Sequence, residues 1–183
     1  SVHRGACGPE VLSSMHDLRQ LDVGKTVIGD HLLKAIHTLP RLETLGLAYT
    51  HITDMAIARY VAKMRSLSWL SLEQTAVTDF ALERLSGLVN LFHLDLGDTL
   101  VSSFGATVLS CLSNLRSLTL SFSKVSDLTM RSLESLQGLQ VLSLENIGLG
   151  DGGLASLGQL PQLKELELYA AKITDTGLLK FCC

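Results

Sequence analysis

Leu67-Ser68-Trp69-Leu70-Ser71-Leu72 is followed, 24 residues on, by Leu91-Phe92-His93-Leu94-Asp95-Leu96. Both read L-x-x-L-x-L, and the pattern extends outward in both directions, starting also at Leu18, Leu42, Leu115, Leu139 and Leu163. The steps between starts are 24, 25, 24, 24, 24 and 24 residues, and the one departure inside the motif is Val23 in place of a leucine. A fixed period of this size marks a stack of like units. Within each unit the last leucines alternate with variable residues. That is the two-residue period of a short strand with one face buried.

The remainder of the unit aligns as well. Counting from the first leucine, position nine is Thr26, Thr50, Thr75, Thr99 and Ser123, then Ile147 and Ala171. Position eleven is apolar throughout, from Ile28 to Ile173. Position thirteen is Asp30, Asp54, Asp79, Asp127, Asp151 and Asp175, with Ser103 the exception. Apolar residues then return every three, as in Leu82, Leu85 and Leu88, the stripe of a short helix. The Asp precedes that stripe, so its carboxylate is expected to accept from free N–H groups of the first helical turn. A strand and a helix repeated in register give stacked parallel strands with helices outside. One such unit cannot bury its apolar face alone; stacking does so. Helices are wider than strands, so the stack is expected to curve with its strands on the concave wall.

On these motifs the chain resembles leucine-rich repeat proteins over residues 15–183. The resemblance implies an α/β solenoid, a curved right-handed horseshoe with parallel strands on the concave face and helices on the convex face. In most of that family position nine is Asn or Cys, bonded to the backbone of the adjacent turn. Here a Thr or Ser hydroxyl is expected in that role, which Ile147 and Ala171 cannot fill. Thr50-His51-Ile52-Thr53-Asp54 and Thr75-Ala76-Val77-Thr78-Asp79 are similar to the subclass with a helix in every repeat. The resemblance implies a non-enzymatic protein-interaction scaffold that binds a protein partner on its concave face. It leaves two alternatives open, a substrate-recognition module of a ubiquitin ligase and a structural spacer within a larger assembly.

Residues 16–183 read as one repeat domain of about seven units. Residues 1–15 read as a partial preceding repeat or an N-terminal flank, with Pro9, Leu12 and Met15 in helix slots. At the other end Leu178 and Phe181 fill helix slots. Neither end shows a recognisable polar cap, so end-to-end contact with further repeats or a cap is expected. Hydrophobic residues make up 46% and charged residues 18%, which suits a packed core and argues against disorder. The net charge of −3 gives no general pull on nucleic acid or an anionic membrane, and no apolar run reaches the roughly 18 residues of a span. Cys7, Cys111, Cys182 and Cys183 have neither zinc-site nor disulfide-framework spacing, and Asn90, Asn114 and Asn146 lie in no glycosylation sequon. Both features point to an intracellular, cytoplasmic setting.

The leucines are core, so a partner should read the variable strand positions. Position three runs from Gln20 through Trp69, His93 and Ser117 to Glu165, and position five from Asp22 through Ser71 and Asp95 to Glu167. Positions seven and eight add Tyr49, Glu73, Asp98 and Phe122. Trp69, the chain's one tryptophan, should face solvent near Tyr49, His93 and Phe122, and aromatics ringed by polar groups are common binding anchors. The expected partner site is therefore Tyr49, Trp69, Ser71, Glu73, His93, Asp95, Asp98 and Phe122. Acidic residues outnumber Lys25 in these rows, which favours a basic partner surface. His93, Asp95 and the flanking Ser71 and Ser117 invite a Ser-His-Asp reading, but residues two apart on an open strand are about 7 Å apart, with no oxyanion pocket in sight. No catalytic residue, metal ligand or cofactor is assigned. One Asp per repeat at a helix start fits capping better than a calcium ladder. Gly148, Gly150, Gly152 and Gly153 suggest a flexible or tightly turned corner in the sixth repeat.

Overall fold

The computed structural model describes residues 10–181. Pro9, Cys7, Cys182 and Cys183 lie outside the described residues. Seven three-residue strands, β1 (Gln20–Asp22), β2 (Thr44–Gly46), β3 (Trp69–Ser71), β4 (His93–Asp95), β5 (Ser117–Thr119), β6 (Val141–Ser143) and β7 (Glu165–Glu167), form one parallel sheet in chain order. Each repeat's middle leucine pairs with the next: Leu21, Leu45, Leu70, Leu94, Leu118, Leu142 and Leu166 stand in one row. Such register follows from the near-constant period, because a slip of one residue would turn every leucine out of the core.

Behind the sheet run α1 (Glu10–Ser13), α2 (Asp30–Ile36), α3 (Asp54–Arg59), α4 (Asp79–Leu85), α5 (Asp127–Leu133), α6 (Asp151–Leu157) and α7 (Asp175–Phe181). The motif leucines of the five inner repeats are buried, as are the helix-stripe residues Ile57, Leu82, Leu109, Met130 and Leu154. Each buried leucine contributes about 1.5–3 kcal/mol of transfer free energy. Together they form one continuous core, with Leu18, Leu21, Leu163 and Leu166 partly buried against it.

Several local expectations are corrected. The position-thirteen Asp does not serve its own helix. Asp30 accepts from the Thr53 N–H at 3.0 Å and the Thr53 hydroxyl at 2.7 Å, one repeat onward. Asp54 takes Thr78 in the same way, Asp79 takes Ser102, and Asp151 takes Thr174. Asp127 accepts from the Gly150 N–H at 2.7 Å. The carboxylates thus clamp successive repeats together. Helix capping falls to position twelve, where the Thr53 and Thr78 hydroxyls accept from Ala56 and Phe80 N–H groups.

The clamp explains the small residues at position fifteen. A Cβ on Gly105 or Gly177 would run into the Asp79 or Asp151 carboxylate of the preceding repeat. On Gly153 it would lie 2.7 Å from Asp127 Oδ1 and 2.5 Å from Leu149 Cδ1. That glycine is there for space; no glycine among the described residues has a positive φ, so the corner needs no special backbone. Ser103 replaces the Asp in repeat four, and position fifteen of repeat five, the slot that faces a carboxylate at Gly105, Gly153 and Gly177, is the buried Thr129. The Ser103 and Ser126 hydroxyls bond each other at 2.9 Å, leaving the buried Thr129 hydroxyl without a partner. Repeat four also departs from the helix expected in every repeat, since Gly105–Cys111 form a 3-10 helix.

Position nine also departs from expectation. Thr26, Thr50, Thr75, Thr99 and Ser123 donate at 2.5–2.7 Å to the carbonyl three residues earlier in their own repeat, and not to the adjacent turn. They close the turn that ends the strand in these five repeats.

Candidate functional site

The strand pairing brings Trp69, His93 and Ser117 side by side on β3, β4 and β5. Trp69 and His93 stack with ring centroids 4.7 Å apart and planes 3° from parallel. His93 Nδ1 lies 2.9 Å from the Ser117 hydroxyl. Trp69 is therefore half-buried by its neighbour, where the strand alternation alone suggests a solvent-facing ring. Burial pushes the His93 imidazole below its ordinary pKa, and the Asp95 carboxylate partly opposes that shift. The ring is biased towards its neutral form.

In the row beside it, Asp95 Oδ2 accepts from the Ser71 hydroxyl at 3.2 Å and Oδ1 from the Gly97 N–H at 2.9 Å. These bonds join Ser71 to Asp95 and Ser117 to His93. A Ser-His-Asp relay instead needs the histidine between the other two. Among the described residues, no three His, Cys, Asp or Glu side chains are grouped to hold a metal ion.

The third row is set by the backbone. Lys25, Tyr49, Gln74, Asp98, Phe122, Asn146 and Ala170, all at position eight, have φ between 49° and 58°. This left-handed turn is closed below by the position-nine hydroxyl wherever one is present, and it fixes the directions of Tyr49, Asp98 and Phe122. Sequence reading missed it because glycine, the usual marker of that conformation, never occurs at position eight. The available signal was Asp98 and Asn146 in one column, since Asn and Asp tolerate positive φ better than most residues. Tyr49 donates to Glu73 Oε1 at 3.0 Å, which raises its phenol pKa, and Lys25 Nζ sits 5.2 Å from the centre of the Tyr49 ring.

Glu73, Asp95, Asp98, Glu145 and Glu167 surround a shallow hollow of about 350 Å³ together with Phe122, which is 50% exposed. Its floor is hydroxylated: Ser121 bonds Ser143 at 2.9 Å, and Ser143 donates to Glu167 at 2.6 Å. The ion pairs found among the described residues, Arg19–Glu43 and Arg41–Asp17, involve none of these carboxylates. Four of the eight expected site residues, Glu73, Asp95, Asp98 and Phe122, thus line one hollow. Trp69, Ser71 and His93 adjoin it on β3 and β4, and Tyr49 joins through Glu73. Glu145, at position seven of repeat six, and Glu167, at position five of repeat seven, line the hollow as well and lie outside the expected site.

The sequence matches no family model and no curated protein. Solved structures do match. An internalin from Listeria monocytogenes superposes with a TM-score of 0.66 at 22% identity, over 94% of this chain and 54% of that one. An internalin C2 from the same organism gives a TM-score of 0.72 at 25% identity, over 90% of this chain and 67% of that one. A leucine-rich repeat protein from Leptospira interrogans gives a TM-score of 0.71 at 21% identity, over 94% and 48%. The chain is a leucine-rich repeat solenoid. It spans between about half and two thirds of the length of these neighbours. No helix of the described solenoid is long and apolar enough to cross a membrane.

Proposed function

We propose that this leucine-rich repeat solenoid is a protein-interaction scaffold that binds a partner through the concave, strand-lined face, and that the bound surface is basic. One observation carries the reading. Five carboxylates that have no ion-pair partner among the described residues surround an exposed aromatic, Phe122, beside the Trp69–His93 stack. Lys or Arg side chains of a partner would gain charge-assisted hydrogen bonds there while their stems cover the Phe122 ring. The rings supply apolar contact and the carboxylates supply orientation and association rate. The repeat fold supports a scaffold in general terms, because it offers a broad open wall in place of an enclosed pocket.

The test is affinity capture from the native cell extract, with the wild-type chain beside a Trp69→Ala/His93→Ala variant of matched circular dichroism. A protein held by the wild type, released by salt and lost by the variant establishes binding on this face, and mass spectrometry names it. A protein held equally by both baits overturns the concave-face assignment.

A further inference from the structure

The helix side carries an apolar ridge that the core does not use. Position fourteen is Met55, Phe80, Phe104 and Leu128 in four successive repeats, the second residue of α3, α4 and α5 and, for Phe104, the residue just before the Gly105–Cys111 segment. These side chains are 51, 40, 75 and 68% exposed. α3, α4, the Gly105–Cys111 segment and α5 pack in that order, so the four residues follow one another along the stack. A row of large apolar side chains left in water over four repeats is the kind of patch that marks an interaction surface.

The outward charges beside this ridge are mainly basic. About one helical turn on stand Lys34, Arg59, Arg84 and Arg131, against Glu83. Arg84 lies over the Phe80 ring at 5.0 Å. The neighbouring Asp30, Asp54, Asp79 and Asp127 are half-buried and committed to the inter-repeat clamps. Lys34, Arg59 and Met55 line a cleft of about 250 Å³ between α2 and α3. None of the four basic side chains takes part in the ion pairs found among the described residues. Charge and apolar content together call for an acidic partner that presents exposed aromatic groups.

The chain's own strand wall has that chemistry. It presents Tyr49 and Phe122, at 40 and 50% exposure, among Glu73, Asp98 and Glu145. We infer that the ridge docks onto the strand wall of a second copy of this chain. Phe80 and Phe104 of one copy meet Tyr49 and Phe122 of the next, and Arg59, Arg84 and Arg131 face the wall's carboxylates. Ridge and wall are different surfaces of one molecule, so the contact is heterologous. Each added copy leaves one ridge and one wall open, and assembly runs past the dimer. The inference rests on the reading that the wall takes up basic protein surfaces, and it names one occupant.

Sedimentation velocity tests it, from about 1 to 200 µM protein at low and high salt, a range that brackets weak interfaces. The wild type should associate beyond dimer at low salt and dissociate at high salt. Phe104→Ser/Arg84→Glu removes the ridge, and Glu73→Lys/Glu145→Lys reverses the wall. These sites are exposed or half-buried, and thermal melts confirm that both variants fold. Each variant alone should be monomeric, whereas an equimolar mixture restores one interface and forms a dimer and nothing larger. A wild type monomeric throughout overturns the inference, as does a wall variant that still self-associates through its intact ridge. If the wild type stays monomeric while the wall still retains a basic protein in the capture experiment, the inference falls and the proposed function stands.

Discussion

Replacing Ser103 by Asp puts the missing carboxylate into the inter-repeat ladder, and the structure sets the condition under which it helps. In repeat three the equivalent Asp79 receives the Ser102 N–H at 2.7 Å and the Ser102 hydroxyl at 2.6 Å. Hydrogen bonds to a charged group are worth roughly 1.5–3 kcal/mol each, and half-burial puts these at the low end or below. The introduced carboxylate has Ser126 as its partner, but Thr129 occupies the space it needs. In the repeats with an intact clamp that space faces Gly or Ala, as at Ala56, Ala81 and Gly153. Ser103→Asp alone should therefore destabilise by about 1–3 kcal/mol through overpacking. Thr129→Ala alone removes a buried hydroxyl that has no partner, a gain of about 1–3 kcal/mol, and leaves a small void that takes back about 1 kcal/mol. The pair together should exceed the sum of the singles by at least about 1 kcal/mol, beyond the roughly 0.3–0.5 kcal/mol within which independent sites add. Urea unfolding of the four proteins measures this coupling. In a chain of this size 1 kcal/mol corresponds to about 2–4 °C in Tm. Additive effects, or a Ser103→Asp single variant more stable than wild type, would refute the reciprocal packing of positions thirteen and fifteen.

Gly153→Ala, by the same packing, should destabilise by about 1–3 kcal/mol, because its Cβ meets Leu149 and Asp127 while Gly153 is buried; a thermal melt within about 1 °C of wild type would contradict this. His93 should make stability fall on mild acidification. Its folded pKa lies below the unfolded value of 6.5, so the unfolded chain takes up the proton first; the contribution is complete above the unfolded value and is lost as pH falls through the folded one. A His93→Gln variant should show a shallower loss of Tm between about pH 7 and 5. Ala170→Gly should stabilise by about 0.5 kcal/mol, since relief of the left-handed conformation at φ 58° slightly outweighs glycine's entropy loss. A lower urea midpoint would show that the strain is absorbed elsewhere.

The repeating leucines, read from the sequence alone, determine most of this molecule. A constant period with two-residue alternation and then three-residue spacing admits only units that stack. The strand register follows, and with it the rows that carry Trp69, His93, Ser71 and Asp95. Chain contacts made across repeats were not legible in the same way. A position-thirteen Asp looks identical whether it caps its own helix or clamps the next repeat, because the two uses share one residue type and one place in the motif. The left-handed turn at position eight was hidden by side chains that ordinarily avoid it and are held there by the stack on either side. The hollow around Phe122 gathers Glu73, Asp95, Asp98, Glu145 and Glu167 from repeats on both sides of that ring, and their convergence exists only once parallel strands stand side by side. The exposed row from Met55 to Leu128 was present in the sequence as well. Only tertiary packing showed that these apolar residues face water, because it placed every core slot and left them outside it.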